Sequence, residues 1–197
     1  MTINELHIEI KEKLMQNASE AGLIAFQRFV PGEGQQAYGV RMPVVNAMAK
    51  TYKTGGFELV KKLWYSGMHE EKLLSAKILG QICRQDKEKS IGLFEELSAS
   101  IDNWAQCDAL GMVALKPVSL KMENDIFELA NRLAKAPDKW QRRIALVMVE
   151  AFTRHERLHP PILNLVSKLE ADKEYFVKKA VVWVRSSMMK QRAKFNK

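Results

Sequence analysis

Trp104, Cys107 and Asp108, then Trp140 and Arg143, then Phe176, Lys179 and Trp183, recur at positions 0, 3, 4 and 7 counted from an aromatic residue. Those positions fall on one side of a helix. They could therefore collect two tryptophans, one carboxylate and several cations on a shared surface. Such a set suits a substrate that is positively charged and attached to phosphates. The π faces attract a cation, and the carboxylate stabilises positive charge that develops during reaction. A guanidinium such as that of Arg143 can hold a phosphate and keep a neighbouring Asp108 ionised.

The elements that must position these residues show an internal repeat. In steps of 36, Asp102-Asn103-Trp104, Asp138-Lys139-Trp140 and Glu174-Tyr175-Phe176 superimpose without gaps. The helices before them align through Leu93, Leu129 and Leu165, and again through Leu97, Leu133 and Leu169. Units of roughly 87–122, 123–158 and 159–194 follow, each with two helices. The acidic residue of each triplet is expected to cap the second helix or complement its dipole. A period of this length is the signature of an all-α, HEAT-like α-solenoid of stacked antiparallel helix pairs. Corresponding second helices then line one face, expected to be concave and basic, and residues 1–197 read as a single repeat domain. Upstream, helices are expected over Leu6–Ala18, Gly22–Phe29, Pro43–Lys53, Phe57–Tyr65 and Glu70–Arg84, with a loop at residues 31 to 39.

Asp108 breaks the repeat, because Ile144 and Ala180 occupy its equivalents. A carboxylate where the pattern wants an apolar residue costs several kcal/mol if buried and unpaired, so the departure suggests a site. Gly111 leaves space where the third copy carries Trp183. Each member also has a bland alternative. Trp104 and Trp140 are equivalent, so either could be ordinary core. Asp108 could be a structural carboxylate in a satisfied ion pair with Arg143. Arg142, Arg143, Lys178 and Lys179 could simply solvate one helix edge. A buried Asp108 would exclude the site reading.

Composition narrows the field of partners. Lys and Arg outnumber Asp and Glu by 31 to 23, giving a net charge of +8. That balance points to a polyanion such as nucleic acid. Cys83 and Cys107 lack metal-ligand spacing and any disulfide framework. No apolar run approaches a membrane span and no signal peptide opens the chain, so a soluble, cytoplasmic monomer is expected, with no metal and no cofactor.

Asn-Trp-Ala-Gln-Cys-Asp at 103–108, Trp-Gln-Arg-Arg-Ile-Ala at 140–145 and Phe-Val-Lys-Lys-Ala-Val-Val-Trp at 176–183 resemble the AlkD-type DNA glycosylases, the HEAT-like alkylpurine repair enzymes. Tyr38-Gly39-Val40-Arg41-Met42-Pro43 is similar to the entry motif of that family's first well-defined repeat. The resemblance runs from about residue 38 to 187, and the opening 30 residues carry little of it. It implies a monofunctional glycosylase that removes cationic N3- or N7-alkylated purines from double-stranded DNA without having to flip the base into a pocket. By the same resemblance Trp104, Asp108 and Trp183 surround the lesion's deoxyribose and Arg143 lies on the DNA backbone. Their position and charge, apart from the resemblance, make Arg142, Lys178 and Lys179 further candidate DNA-binding cations. Two other readings stand beside it: a non-catalytic HEAT-like DNA-binding protein, and a protein-interaction solenoid.

Overall fold

Apolar residues at three- and four-residue spacing are buried together most readily as helices with one apolar stripe. The computed structural model, which describes residues 1–30 and 34–195, is all-α accordingly. Among the described residues there is no strand, only an isolated bridge between Gln36 and Met68. Pro31, Gly32 and Glu33 of the expected loop lie outside the described residues. The chain divides into two compact units, residues 1–90 and 91–197.

The first unit holds α1 (Ile3–Gln16), α2 (Glu20–Phe29), α3 (Met42–Tyr52), α4 (Gly56–Trp64) and α5 (His69–Ile82). α1 begins earlier than expected because Thr2 and Glu5 form a reciprocal capping box. The core is built on Ile10, Leu14, Leu59, Leu63, Trp64, Leu74 and Ile78. The Tyr38–Pro43 motif has a structural function here. Glu70, 2% exposed, accepts the backbone N–H groups of Tyr38, Gly39 and Val40 at 2.9, 2.8 and 2.9 Å. The fully buried Glu71 accepts from the Tyr38 hydroxyl at 2.7 Å and pairs with His7 at 2.6 Å. Gly39 has φ +79°, and a Cβ there would meet the Ser19 carbonyl oxygen at 2.5 Å, so two independent constraints exclude a side chain. Glu70→Gln replaces half of an all-acceptor group with a donor facing buried N–H groups. It should cost about 2–4 kcal/mol, read as a lower urea midpoint at unchanged m-value; a midpoint equal to wild type would show that the loop is held by other contacts.

In the second unit the repeat is visible as geometry. α6 (Lys87–Ser98, which starts just before the boundary), α8 (Glu123–Leu133) and α10 (His159–Leu169) begin 36 residues apart to the residue. Leu93, Leu97, Leu129, Leu133, Leu165 and Leu169, aligned by the sequence register, are all buried. The second helices are α7 (Trp104–Val113), α9 (Lys139–Val147) and α11 (Tyr175–Phe195). α9 packs between α7 and α11, as repeat stacking requires. Surface pairs bridge one repeat to the next, Arg132 to Glu95 at 2.9 Å and Lys168 to Asn131 at 2.6 Å, and Arg157 to Glu123 at 2.6 Å closes the two ends of the second repeat. Exposed pairs of this kind contribute at most about 1 kcal/mol each, so the stack is held mainly by its leucine core. Among the described residues no helix is long and apolar enough to cross a membrane.

Candidate active site

Asp108 sits on the second turn of α7, one turn after Trp104. The local sequence sets where that helix starts. The side chain of Asn103, in extended backbone at φ −152°, accepts the Gln106 N–H at 3.0 Å, and the Gln106 amide oxygen in turn accepts the Asp102 N–H at 3.0 Å. Asn103 is thus the cap, where Asp102 was expected, and α7 begins on its aromatic residue. In the next repeat the expectation holds: Asp138 caps α9, accepting from the N–H groups of Trp140 and Gln141 at 2.9 and 3.0 Å. α9 accordingly begins one residue before its aromatic.

Across the repeats, Arg143 of α9 reaches both neighbours. It donates through Nε (3.1 Å) and Nη2 (2.8 Å) to Oδ1 of Asp108, and through Nη2 to Oδ2 at 3.0 Å. Its Nη1 donates to the backbone carbonyl of Phe176 in the first turn of α11 at 2.7 Å. One guanidinium therefore pins α7, α9 and α11 together. The arginine side chain is 7% exposed and the Asp108 side chain 20%. The carboxylate is half-buried and retains an open side, so it falls short of the buried group that would exclude a site. Oδ1 receives two hydrogen bonds and Oδ2 one, which leaves Oδ2 the freer acceptor for an incoming group.

Burial raises the Asp108 carboxyl above the ordinary aspartate value, and the adjacent Arg143 charge and its hydrogen bonds only partly offset this. The guanidinium acts in the expected direction, favouring the ionised form. Desolvation is the larger influence here. Cys107, fully buried beside the pair, directs its thiol to the Trp140 carbonyl at 3.7 Å, and burial pushes that thiol well above its usual value. It reads as packing, not as a nucleophile.

The two equivalent tryptophans part company. Trp140 is 7% exposed and its ring packs against Phe176 at 4.9 Å between centroids; it is core. Trp104 and Trp183 remain half-buried, on α7 and α11. The space expected at Gly111 is already taken. A Cβ there would lie 2.7 Å from Val147 Cγ1 and 3.1 Å from Ile144 Cγ1, so the glycine exists to let α7 and α9 approach closely.

The cations divide sharply. Arg143, expected on a DNA backbone, faces inward as the counter-ion of Asp108. Arg142 is also committed: its Nε donates to Asp172 Oδ2 at 2.6 Å, and its Nη1 to the carbonyls of Ala136 and Pro137 at 2.9 and 2.6 Å. Both placements have one cause. A repeat interface is rich in carbonyl and carboxylate oxygens, and an arginine fork that reaches them is held there instead of in solvent. Lys178 and Lys179 are exposed on the first turns of α11, with Lys179 Nζ 5.4 Å from the Tyr175 ring centre. Sequence reasoning missed Asp172, although an aspartate two residues before Glu174 is a recognisable turn-capping position. Its Oδ1 accepts the Glu174 N–H at 2.8 Å, just ahead of α11.

Compared with known proteins, the chain matches a family model described as DNA alkylation repair enzyme over residues 10–196. The match takes in most of the opening 30 residues, which by themselves carried little resemblance. No curated protein gives a match.

Proposed function

The chain belongs to the DNA alkylation repair enzyme family, and from that premise we propose that it is a monofunctional DNA glycosylase acting on cationic N3- or N7-alkylated purines in duplex DNA. The observation that carries this reading is the half-buried Asp108, held by a buried arginine on one side and open on the other, with Trp104 one turn before it. An alkylated purine bears a positive charge and leaves readily as a neutral base once its glycosidic bond breaks. The positive charge passes to the deoxyribose. What the protein must supply is a fixed negative charge where that cation forms. Asp108 is that counter-charge in this reading, and its Oδ2 orients the water whose oxygen bonds to C1′ and whose proton is released. Trp104 and Trp183 are assigned to the sugar, supporting its charge through their π faces. The chemistry needs only water as co-reactant.

The test is direct. Wild-type protein incubated with methylated duplex DNA should release 7-methylguanine or 3-methyladenine, detected by chromatography and mass spectrometry. Absence of free base, with salt-dependent DNA binding retained, would instead favour a non-catalytic DNA-binding solenoid. Binding that is weak and insensitive to salt would favour a protein-interaction module.

Because both arginines of the Arg142-Arg143 pair are committed internally, contact with the DNA backbone is assigned to the exposed lysines of α11. Each phosphate neutralised releases condensed counterions and contributes about 0.9 to the slope of log K against log salt. Replacing Lys178 and Lys179 together by alanine should therefore lower that slope by about two while leaving the melting temperature near wild type. A slope unchanged in the double variant would place the phosphates elsewhere.

A further inference from the structure

We propose that Asp172 and Arg142 are positioning residues for the Asp108 site, acting through the start of α11 and the Phe176 carbonyl. The proposal rests on Asp108 being the reactive carboxylate. Asp172, with its side chain 8% exposed, is doubly occupied. One oxygen holds the Glu174 N–H at 2.8 Å and so fixes where α11 begins; the other receives Arg142 Nε at 2.6 Å. Arg142 in turn holds the carbonyls of Ala136 and Pro137, in the turn that leads into α9. The start of α11 and the start of α9 are thereby tied by one bridge.

Arg143 is the next residue on α9, and its Nη1 ends on Phe176 O in that same first turn of α11. Neighbouring arginines thus join the same two helix starts, one through Asp172 and one through the Phe176 carbonyl. The second of them also carries Asp108. If the first bridge is lost, the Phe176 carbonyl can move relative to α9. The Arg143 fork then has to choose between that carbonyl and the Asp108 carboxylate. A displacement of about 1 Å at a reacting group can cost about a hundredfold in rate.

The length of the linkage makes it testable. Asp172→Asn keeps an oxygen for the Glu174 N–H and removes the ion pair. Arg142→Lys keeps the charge but cannot reach Asp172 and two carbonyls at once. Arg132→Gln, which breaks the exposed Arg132–Glu95 bridge between repeats, is the control. In each folded variant the Asp108 carboxyl is followed by ¹³C NMR across pH, and base release is measured alongside as kcat and KM. The expected result is an upward move of the Asp108 titration midpoint by about half a unit or more in Asp172→Asn and Arg142→Lys. A fall in kcat of about tenfold with KM little changed should accompany it, and neither effect should appear in Arg132→Gln. An unmoved Asp108 midpoint in both folded variants would overturn the proposal, as would an equal shift in Arg132→Gln. Because the titration needs no activity, a wild-type protein that releases no base but shows the coupled shift would defeat the glycosylase reading and leave the positioning linkage standing.

Discussion

Asp108→Asn should abolish base release almost completely while leaving the protein folded. The amide has the same shape, and its oxygen can still accept from Arg143. What it loses is the full negative charge opposite the developing sugar cation. Losing one preorganised electrostatic partner of this kind commonly costs about 10²–10³ in kcat, and the effect should fall on kcat more than on DNA affinity. Stability should move little, and the direction follows from the titration. The folded carboxyl binds its proton more tightly than the ordinary aspartate, burial being the cause. Its contribution to stability is therefore fully present at low pH and is lost as pH rises through the raised folded value. At neutral pH the ionised group weakens the fold relative to a neutral isostere. Against this, the substitution leaves the buried Arg143 without a counter-ion, so the two effects oppose and the melting temperature should stay within about 3 °C of wild type. Wild-type activity depends on the ionised form and runs the opposite way, falling as pH drops through the same value. That acid limb should lie above the ordinary aspartate value, which is about 3.9. A variant retaining more than a tenth of the wild-type rate at neutral pH would show that Asp108 is not the counter-charge.

Arg143→Met tests the other half of the pair, and its consequences are broader. Methionine fills much of the same volume without charge. Asp108 would lose all three donated hydrogen bonds and the adjacent positive charge, so its carboxyl should rise further and the acid limb of activity should move up by about one unit or more. At neutral pH the rate should fall by about 10²-fold through misplacement of the carboxylate. Removing the buried member of the pair also strands a half-buried carboxylate and leaves the Phe176 carbonyl without this donor. The fold should lose about 2–4 kcal/mol, measured by urea unfolding. The salt slope of DNA binding should be unchanged, since the Arg143 side chain is buried and its donors end on Asp108 and Phe176. A slope reduced by about one would instead mean that Arg143 reaches a phosphate, the role its family resemblance implies. Arg143→Lys should fall between wild type and Arg143→Met, because an ammonium cannot serve two carboxylate oxygens and a carbonyl in one geometry.

Much of this architecture was legible in the chain because the signals are local. Helix periodicity and a 36-residue register depend on residues a few positions apart, and every leucine that the register aligned is buried. The same register singled out Asp108 by contrast with Ile144 and Ala180, and it brought Arg143 close enough for an ion pair to stand as one of two alternatives. The register also carried its own error. α7 begins on its aromatic residue because Asn103 and not Asp102 caps it, so triplets that align in sequence are offset by one residue at the helix start. No periodicity reveals a cap exchanged between neighbouring polar residues.

By itself, then, the sequence determined the all-α repeat, the family and the identity of the exceptional carboxylate. Tertiary structure alone decided which way each polar group faces. Arg142 and Arg143 read as a cationic edge until α11 is in place; only then do Asp172 and the Phe176 carbonyl present the oxygens that capture them. Gly111 reads as open space until Val147 closes on it, and Trp140 reads as the equal of Trp104 until the Phe176 ring covers it. These outcomes turn on contacts between residues some thirty or more positions apart, where a shift of one ångström separates a hydrogen bond from none. The physical reason is that burial and hydrogen bonding depend on that distance, while sequence spacing fixes only which residues are near one another.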